Sequence, residues 1–199
     1  MNRARAAWVD ESIRHTPEGQ AYLLAAAVAN PNTCDPVRDV LRSMVLGKAS
    51  RLHWRAESRP RRVRIVAAIA AAAATDDIAE LVVVGVPVDP ARQERARRQC
   101  LVRLLHELDT RHVTQVWAEA RTPTLNRRDV SLIAGLRASG AITDALIYDF
   151  ASPAGVGADP MLWIPDAVAG AVGTTRVEGD SRLQDALGDS LTVIDLQLA

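Results

Sequence analysis

A strand with one face on a core alternates apolar and polar residues, but Leu81-Val82-Val83-Val84-Gly85-Val86 does not alternate. An unbroken β-branched run marks a strand covered on both faces. Helices must therefore lie above and below the sheet that contains it, and Pro87 is expected to end the strand. The remaining chain supplies such cover. Residues 91–109 place Leu101, Leu104, Leu105 and Leu108 on one helical face, with arginines opposite. Residues 60–74 offer Val63, Val66, Ala67, Ala70 and Ala73 at helical spacing. Asp35-Pro36 opens a shorter helix with Val37, Val40, Leu41 and Met44, ending at Gly47. Asn126 is expected to cap a helix carrying Val130, Leu132, Ile133 and Leu136 up to Gly140, and residues 167–174 form another.

Further strands are expected at residues 6–12, 113–119, 145–150 and 191–196, with a brief edge strand at 51–55. Residues 20–29, between turn-like clusters at 15–19 and 30–32, read as a hairpin partner of the first strand, although their alanines also suit a helix. Strands and helices alternate from about residue 60 after a β-rich start. That order predicts an α/β fold, a mixed sheet flanked by helices on both faces. With 199 residues, 48% of them apolar, residues 1–199 can bury one full core and are expected to form a single domain.

Charge narrows the possible partners. Lys+Arg and Asp+Glu are balanced at 24 each, so a polyanion has to be held by a local patch rather than by a global field. Lys48 is the sole lysine; the arginine bias suits phosphate recognition and equally fits a compositional bias of the genome. Cys34 and Cys100 lack C-x-x-C spacing, which argues against a disulfide framework or thiolate zinc site and points to the cytoplasm. No stretch is long and apolar enough to span a bilayer, so no membrane partner is expected. Met1-Asn2-Arg3-Ala4-Arg5 runs straight into Trp8-Val9-Asp10, unlike a signal peptide. A G-x-G-x-x-G turn, a Walker loop and a Gly-x-Ser-x-Gly elbow are absent, leaving nucleotide-cofactor and serine-hydrolase readings without support.

The chemistry-bearing candidates are acids at the ends of apolar segments. The first strand runs into Asp10-Glu11-Ser12; Trp8, Asp10 and Ser12 share one face, while Ala7, Val9 and Glu11 share the other. A carboxylate at the end of a central strand costs desolvation energy unless it is paired or binds a cation. Only one of the two acids can face a common site, and Glu11 is expected to form an ion pair on the opposite side. Glu119 likewise ends an apolar strand. Asp166 follows Pro165 at the start of a helix rich in small residues, which can approach a sheet closely; an ordinary helix-start role accounts for it equally well.

Taken together and in this order, these features resemble the ribonuclease-H-like superfamily. More narrowly, they resemble an uncharacterised bacterial family of that fold with an N-terminal Asp-Glu-Ser-Gly and a C-terminal Gln-Leu-Ala-Asp before its last helix. Asp10-Glu11-Ser12-Ile13 matches the first motif at three positions. Trp163-Ile164-Pro165-Asp166 matches the second at the aspartate, and Ala167-Val168-Ala169-Gly170-Ala171-Val172 matches the helix that follows. Glu119 would take the place of the acid ending a middle strand, and His53 lies near a histidine position of the family. The resemblance implies a ribonuclease-H-like mixed sheet and metal-dependent phosphodiester hydrolysis or transfer on nucleic acid. Two Mg2+ or Mn2+ ions would be held by Asp10, Glu119 and Asp166, with Asp10 bridging them and Glu119 and Asp166 each completing one. No acid lies between Pro60 and Ala74, so the three-carboxylate sites of transposases and integrases are the nearer analogy. The alternatives are a catalytically silent module of this fold that binds nucleic acid or a protein, and an unrelated α/β enzyme whose acids are caps and ion-pair partners.

The basic run Arg51, Arg55, Arg59, Arg61, Arg62 and Arg64 has His53 and Trp54 interleaved. It could follow a nucleic-acid backbone, with Trp54 stacking on a base and Arg61 and Arg62 holding phosphate beside the acids. A solvated helix start predicts the same residues.

Overall fold

The computed structural model describes residues 4–16 and 19–198, except the side chain of Asp76. Met1 to Arg3 and the Pro17-Glu18 pair of the expected first turn lie outside the described residues. At its centre three strands run antiparallel in sequence: β1 (Ala6–Thr16), β2 (Gly19–Ala29) and β3 (Ala79–Val88). The β1–β2 register is unbroken from Ala6 opposite Ala29 to Thr16 opposite Gly19. Between β2 and β3 lie helices α1 (Asp35–Ser43) and α2 (Arg59–Asp76). Helix α3 (Gln93–Thr110) leads to β4 (Gln115–Glu119), and α4 (Pro123–Ala138) to β5 (Ile147–Ala151). Helices α5 (Trp163–Glu178) and α6 (Arg182–Asp185) precede β6 (Leu191–Gln197). The strand order is β5-β4-β1-β2-β3-β6, with β4 parallel to β1, β5 to β4, and β6 to β3.

The period-two pattern of the strands divides the core in two. Trp8, Leu23, Ala25, Ala27, Val82 and Val84 face α1, α2 and α5, whereas Val9, Tyr22, Leu24, Ala26, Leu81 and Val83 face α3 and α4. Both faces of β3 are covered, as its β-branched run requires. Central β2 is buried on both sides as well, and there the coverage outweighs the helical preference of its alanines. The fold is α/β, a mixed six-stranded sheet flanked by helices on both faces. Among the described residues no helix is long and apolar enough to cross a membrane. Cys34 and Cys100 are buried and not joined in a disulfide.

Four local expectations need correction. Residues 51–55 form no strand; the chain there enters a 3₁₀ turn, Trp54–Ala56, pinned to α5 rather than to a sheet edge. The buried stripe of α2 is Ile65, Val66 and Ile69, and Val63 is exposed, because isoleucines bury more apolar surface than the alanines that defined the expected face. Thr122, not Asn126, caps α4: its hydroxyl accepts from the Leu125 amide, with Pro123 just inside the helix. Asn126 instead accepts from the Arg121 amide. Strand β3 continues through Pro87 to Val88, since pairing with β2 resumes at Gln20 opposite Val88 after an irregularity.

Candidate active site

Strand register brings the first two acids together. Trp8 lies directly opposite Trp117 on parallel β1 and β4, with ring centroids 5.2 Å apart, and Val9 lies opposite Ala118. Two residues beyond each tryptophan, on the same face, stand Asp10 and Glu119. Asp166 arrives from above, in the first turn of α5, which crosses this face on small residues: Ala167, Ala169, Gly170 and Ala171 are all buried. Asp159 anchors the approach to that helix. It accepts hydrogen bonds from the Trp8 indole at 2.7 Å and from Arg38 at 2.9 and 3.1 Å. Burial alone would raise the Asp159 carboxyl, but hydrogen bonds from Arg38 and the Met161 amide hold it below the usual carboxylate range.

The three acids line one open cleft of about 320 Å³, together with Arg51, His53, Arg55 and Arg121. Arg51 donates to Glu119 at 3.3 Å. Asp166 Oδ2 lies 3.1 Å from His53 Nδ1 and accepts from the Trp54 amide at 2.9 Å, which fixes the carboxylate's orientation. Asp10 Oδ1 accepts from the Glu11 amide at 2.7 Å. Burial, followed by the negative charges of Glu119 and Asp166, pushes the Asp10 carboxyl well above the ordinary range, with Arg51 acting the other way. Of the three cleft acids, Glu119 and Asp166 each have a basic side chain in ion-pair contact, whereas among the described residues Asp10 has none.

The basic candidates separate. His53 belongs to the cleft through Asp166. Trp54 does not offer a stacking face: its ring is buried, and a Cβ added at Gly170 would come within 2.3 Å of it, so Gly170 is what lets the ring lie against α5. Arg61 turns away, donating to Glu57 at 2.9 Å and to the Met44 carbonyl. Arg62 donates to the Trp54 carbonyl at 3.2 Å, its guanidinium 5.0 Å from the Trp54 ring centre. Neither Arg61 nor Arg62 lines the acid cleft; Arg51 and Arg55 of the same run do.

The other face of β1 carries an ion network that reaches the same cleft through Glu11, Arg97 and Arg121; an ion pair of Glu11 was expected, whereas its partners were not found by sequence reasoning. Glu11 pairs with Arg97 and accepts from the Tyr22 hydroxyl. Arg97, only 3% exposed, also grips buried Asp129 at 2.7 and 3.3 Å. Arg121 donates to Asp129 at 3.0 Å and to Glu94 at 2.7 Å. A signal for Arg97 was present: it falls four residues before Leu101 and seven before Leu104, on the apolar stripe of α3.

No protein-family model and no curated protein sequence matches the chain. Among solved structures it is similar to a chain in the PCNA:RNase HII complex from Archaeoglobus fulgidus, with 16% identity, 92% of this chain and 78% of that one covered, and a TM-score of 0.49. The strand order and register define the mixed α/β sheet independently of that likeness.

Proposed function

We propose that this cleft is the active site of a divalent-metal-dependent nuclease or related phosphoryl-transfer enzyme, with Asp10, Glu119 and Asp166 as its acids. The observation that carries the reading is the meeting of these three carboxylates, from two parallel strand ends and one helix start, around an Asp10 whose negative charge is under-compensated. Hard carboxylate oxygens suit Mg2+ or Mn2+, so the donor chemistry fits. Bound there, such an ion would activate a water and neutralise charge on a phosphodiester undergoing in-line displacement. Asp10 would contact the ion centrally, Glu119 and Asp166 would flank it, and Arg51 and His53 would set the orientation of those two. Nucleic acid is the proposed substrate.

One observation favours a second reading. Among the described residues no three Asp, Glu, His or Cys side chains stand close enough, as placed, to grip a single ion, and Arg51 and His53 already contact two of the acids. Those contacts suit a catalytically silent module of the same fold that binds nucleic acid or a protein. Incubating labelled DNA and RNA oligonucleotides with the protein and Mn2+ separates the two readings. The nuclease reading expects metal-dependent cleavage that falls to background in Asp10→Asn, Glu119→Gln and Asp166→Asn. Binding without cleavage under every metal tried supports the silent module.

A further inference from the structure

Beside the acid cleft, three arginines from separate elements converge on a second pocket. Arg14 comes from the far part of β1, Arg55 from the 3₁₀ turn, and Arg62 from the first turns of α2; they line a cavity of about 390 Å³ together with Gly173 and Thr174 of α5. Ile13 and Arg55 border this cavity and the acid cleft alike, so the two are neighbours. We infer that Arg14, Arg55 and Arg62 form a phosphate-binding site that takes a backbone phosphate of a nucleic-acid strand lying across the acid cleft. The inference rests on the proposed nucleic-acid substrate and adds the residues that would hold it.

Three features argue for a ligand rather than a chance cluster of surface charges. Like charges are gathered here without compensation: among the described residues no carboxylate lies within ion-pair distance of any of the three, and Glu178, which also borders the pocket, is exposed at the end of α5. Among the described residues Arg14 Nε is buried without a hydrogen-bond partner, as are Arg121 Nε and Arg137 Nε, so the protein itself leaves the Arg14 guanidinium incompletely satisfied. The arrangement is also held in place from several sides. Arg55 donates to the Ile13 carbonyl at 3.2 Å, and the Trp54 carbonyl and ring orient Arg62. Arg14 lies flat on α5 at Gly173, where an added Cβ would come within 2.8 Å of Nε.

The electrostatics agree with the geometry. Burial, then the charge of Arg55 and, more weakly, that of Arg62, lowers the pKa of Arg14, and the nearby Asp166 opposes the shift. An anion would relieve the repulsion among the three guanidinium groups. Guanidinium forks match the paired oxygens of carboxylates and phosphates alike, and it is the neighbouring acid cleft, with its proposed nucleic-acid substrate, that selects a backbone phosphate.

The test uses a fluorescent single-stranded oligonucleotide and, separately, inorganic phosphate, both with EDTA present so that no turnover occurs. Arg55→Gln and Arg14→Gln should each weaken oligonucleotide binding about tenfold or more, the scale of a lost charge-assisted hydrogen bond. The salt slope should fall by roughly 0.7 for one phosphate no longer neutralised. Exposed Arg55 carries the result should Arg14→Gln fail to fold. Unchanged affinity and salt slope in Arg55→Gln would overturn the site. Loss of inorganic phosphate binding with oligonucleotide binding intact would overturn the nucleic-acid assignment, leaving a small-anion pocket. A protein that never cleaves, yet whose oligonucleotide binding depends on Arg55, keeps this site and loses the nuclease reading.

Discussion

Asp10 and Glu11 are consecutive acids on β1 that face opposite sides of the sheet. Glu11 meets Arg97 and the Tyr22 hydroxyl, whereas Asp10 meets Glu119 and, beyond it, Asp166. On the Glu11 side charges alternate through Arg97, Asp129, Arg121 and Glu94, each acid with a cation beside it. On the Asp10 side three acids share Arg51 and His53. Burial is costly for both sets. The protein spends its buried arginine on the structural side and leaves the other side short of positive charge. That asymmetry, more than the presence of acids, distinguishes the structural network from the cleft proposed to receive a cation.

The largest effect should come from the paired side. Arg97→Met leaves Asp129 and Glu11 without their shared cation and should cost about 3–5 kcal/mol, the scale for breaking a buried pair. Arg51→Met, at a partly exposed pair, should cost no more than about 1 kcal/mol. Urea unfolding of the two variants measures the contrast, and equal losses would erase it.

A smaller effect, of opposite sign, is expected at Asp10. Its folded pKa is raised, so between the ordinary carboxylate value and that raised value the native state binds more protons than the unfolded one. Stability should therefore fall as pH rises through this window without metal, and Asp10→Asn should flatten the fall. Glu80, buried on β3 and pushed up to about 7, loses stability in the same direction. The profile is therefore best compared in a Glu80→Gln background. A slope unchanged by Asp10→Asn would mean that the three acids do not strain one another.

The layers and the strand-end acids were legible because they depend on local periodicity: the run at Leu81 to Val86, the leucine stripe of α3, and the alternation that sends Asp10 and Glu11 apart. Contacts that depend on tertiary placement were not. Trp54 reads as an exposed aromatic among arginines, and only Gly170, more than a hundred residues later, gives it a place to be buried. Arg14 and Arg62 lie far apart in sequence and meet only through the packing of β1, α2 and α5. The run at 59–64 suggested phosphate contacts, but a helix disperses consecutive side chains around its axis, so Arg61 and Arg62 take different partners.

The central claim, that Asp10, Glu119 and Asp166 form a site short of positive charge that accepts a divalent cation, is tested most directly by thermal unfolding with and without millimolar MnCl2. A ligand bound only to the native state stabilises it by mass action, about 2.7 kcal/mol at a hundred times its Kd. The wild type should gain melting temperature with Mn2+, and Asp10→Asn should melt at or above the wild type without metal while gaining nothing from it. A wild type indifferent to Mn2+, or an Asp10→Asn variant that gains as much, would contradict the claim.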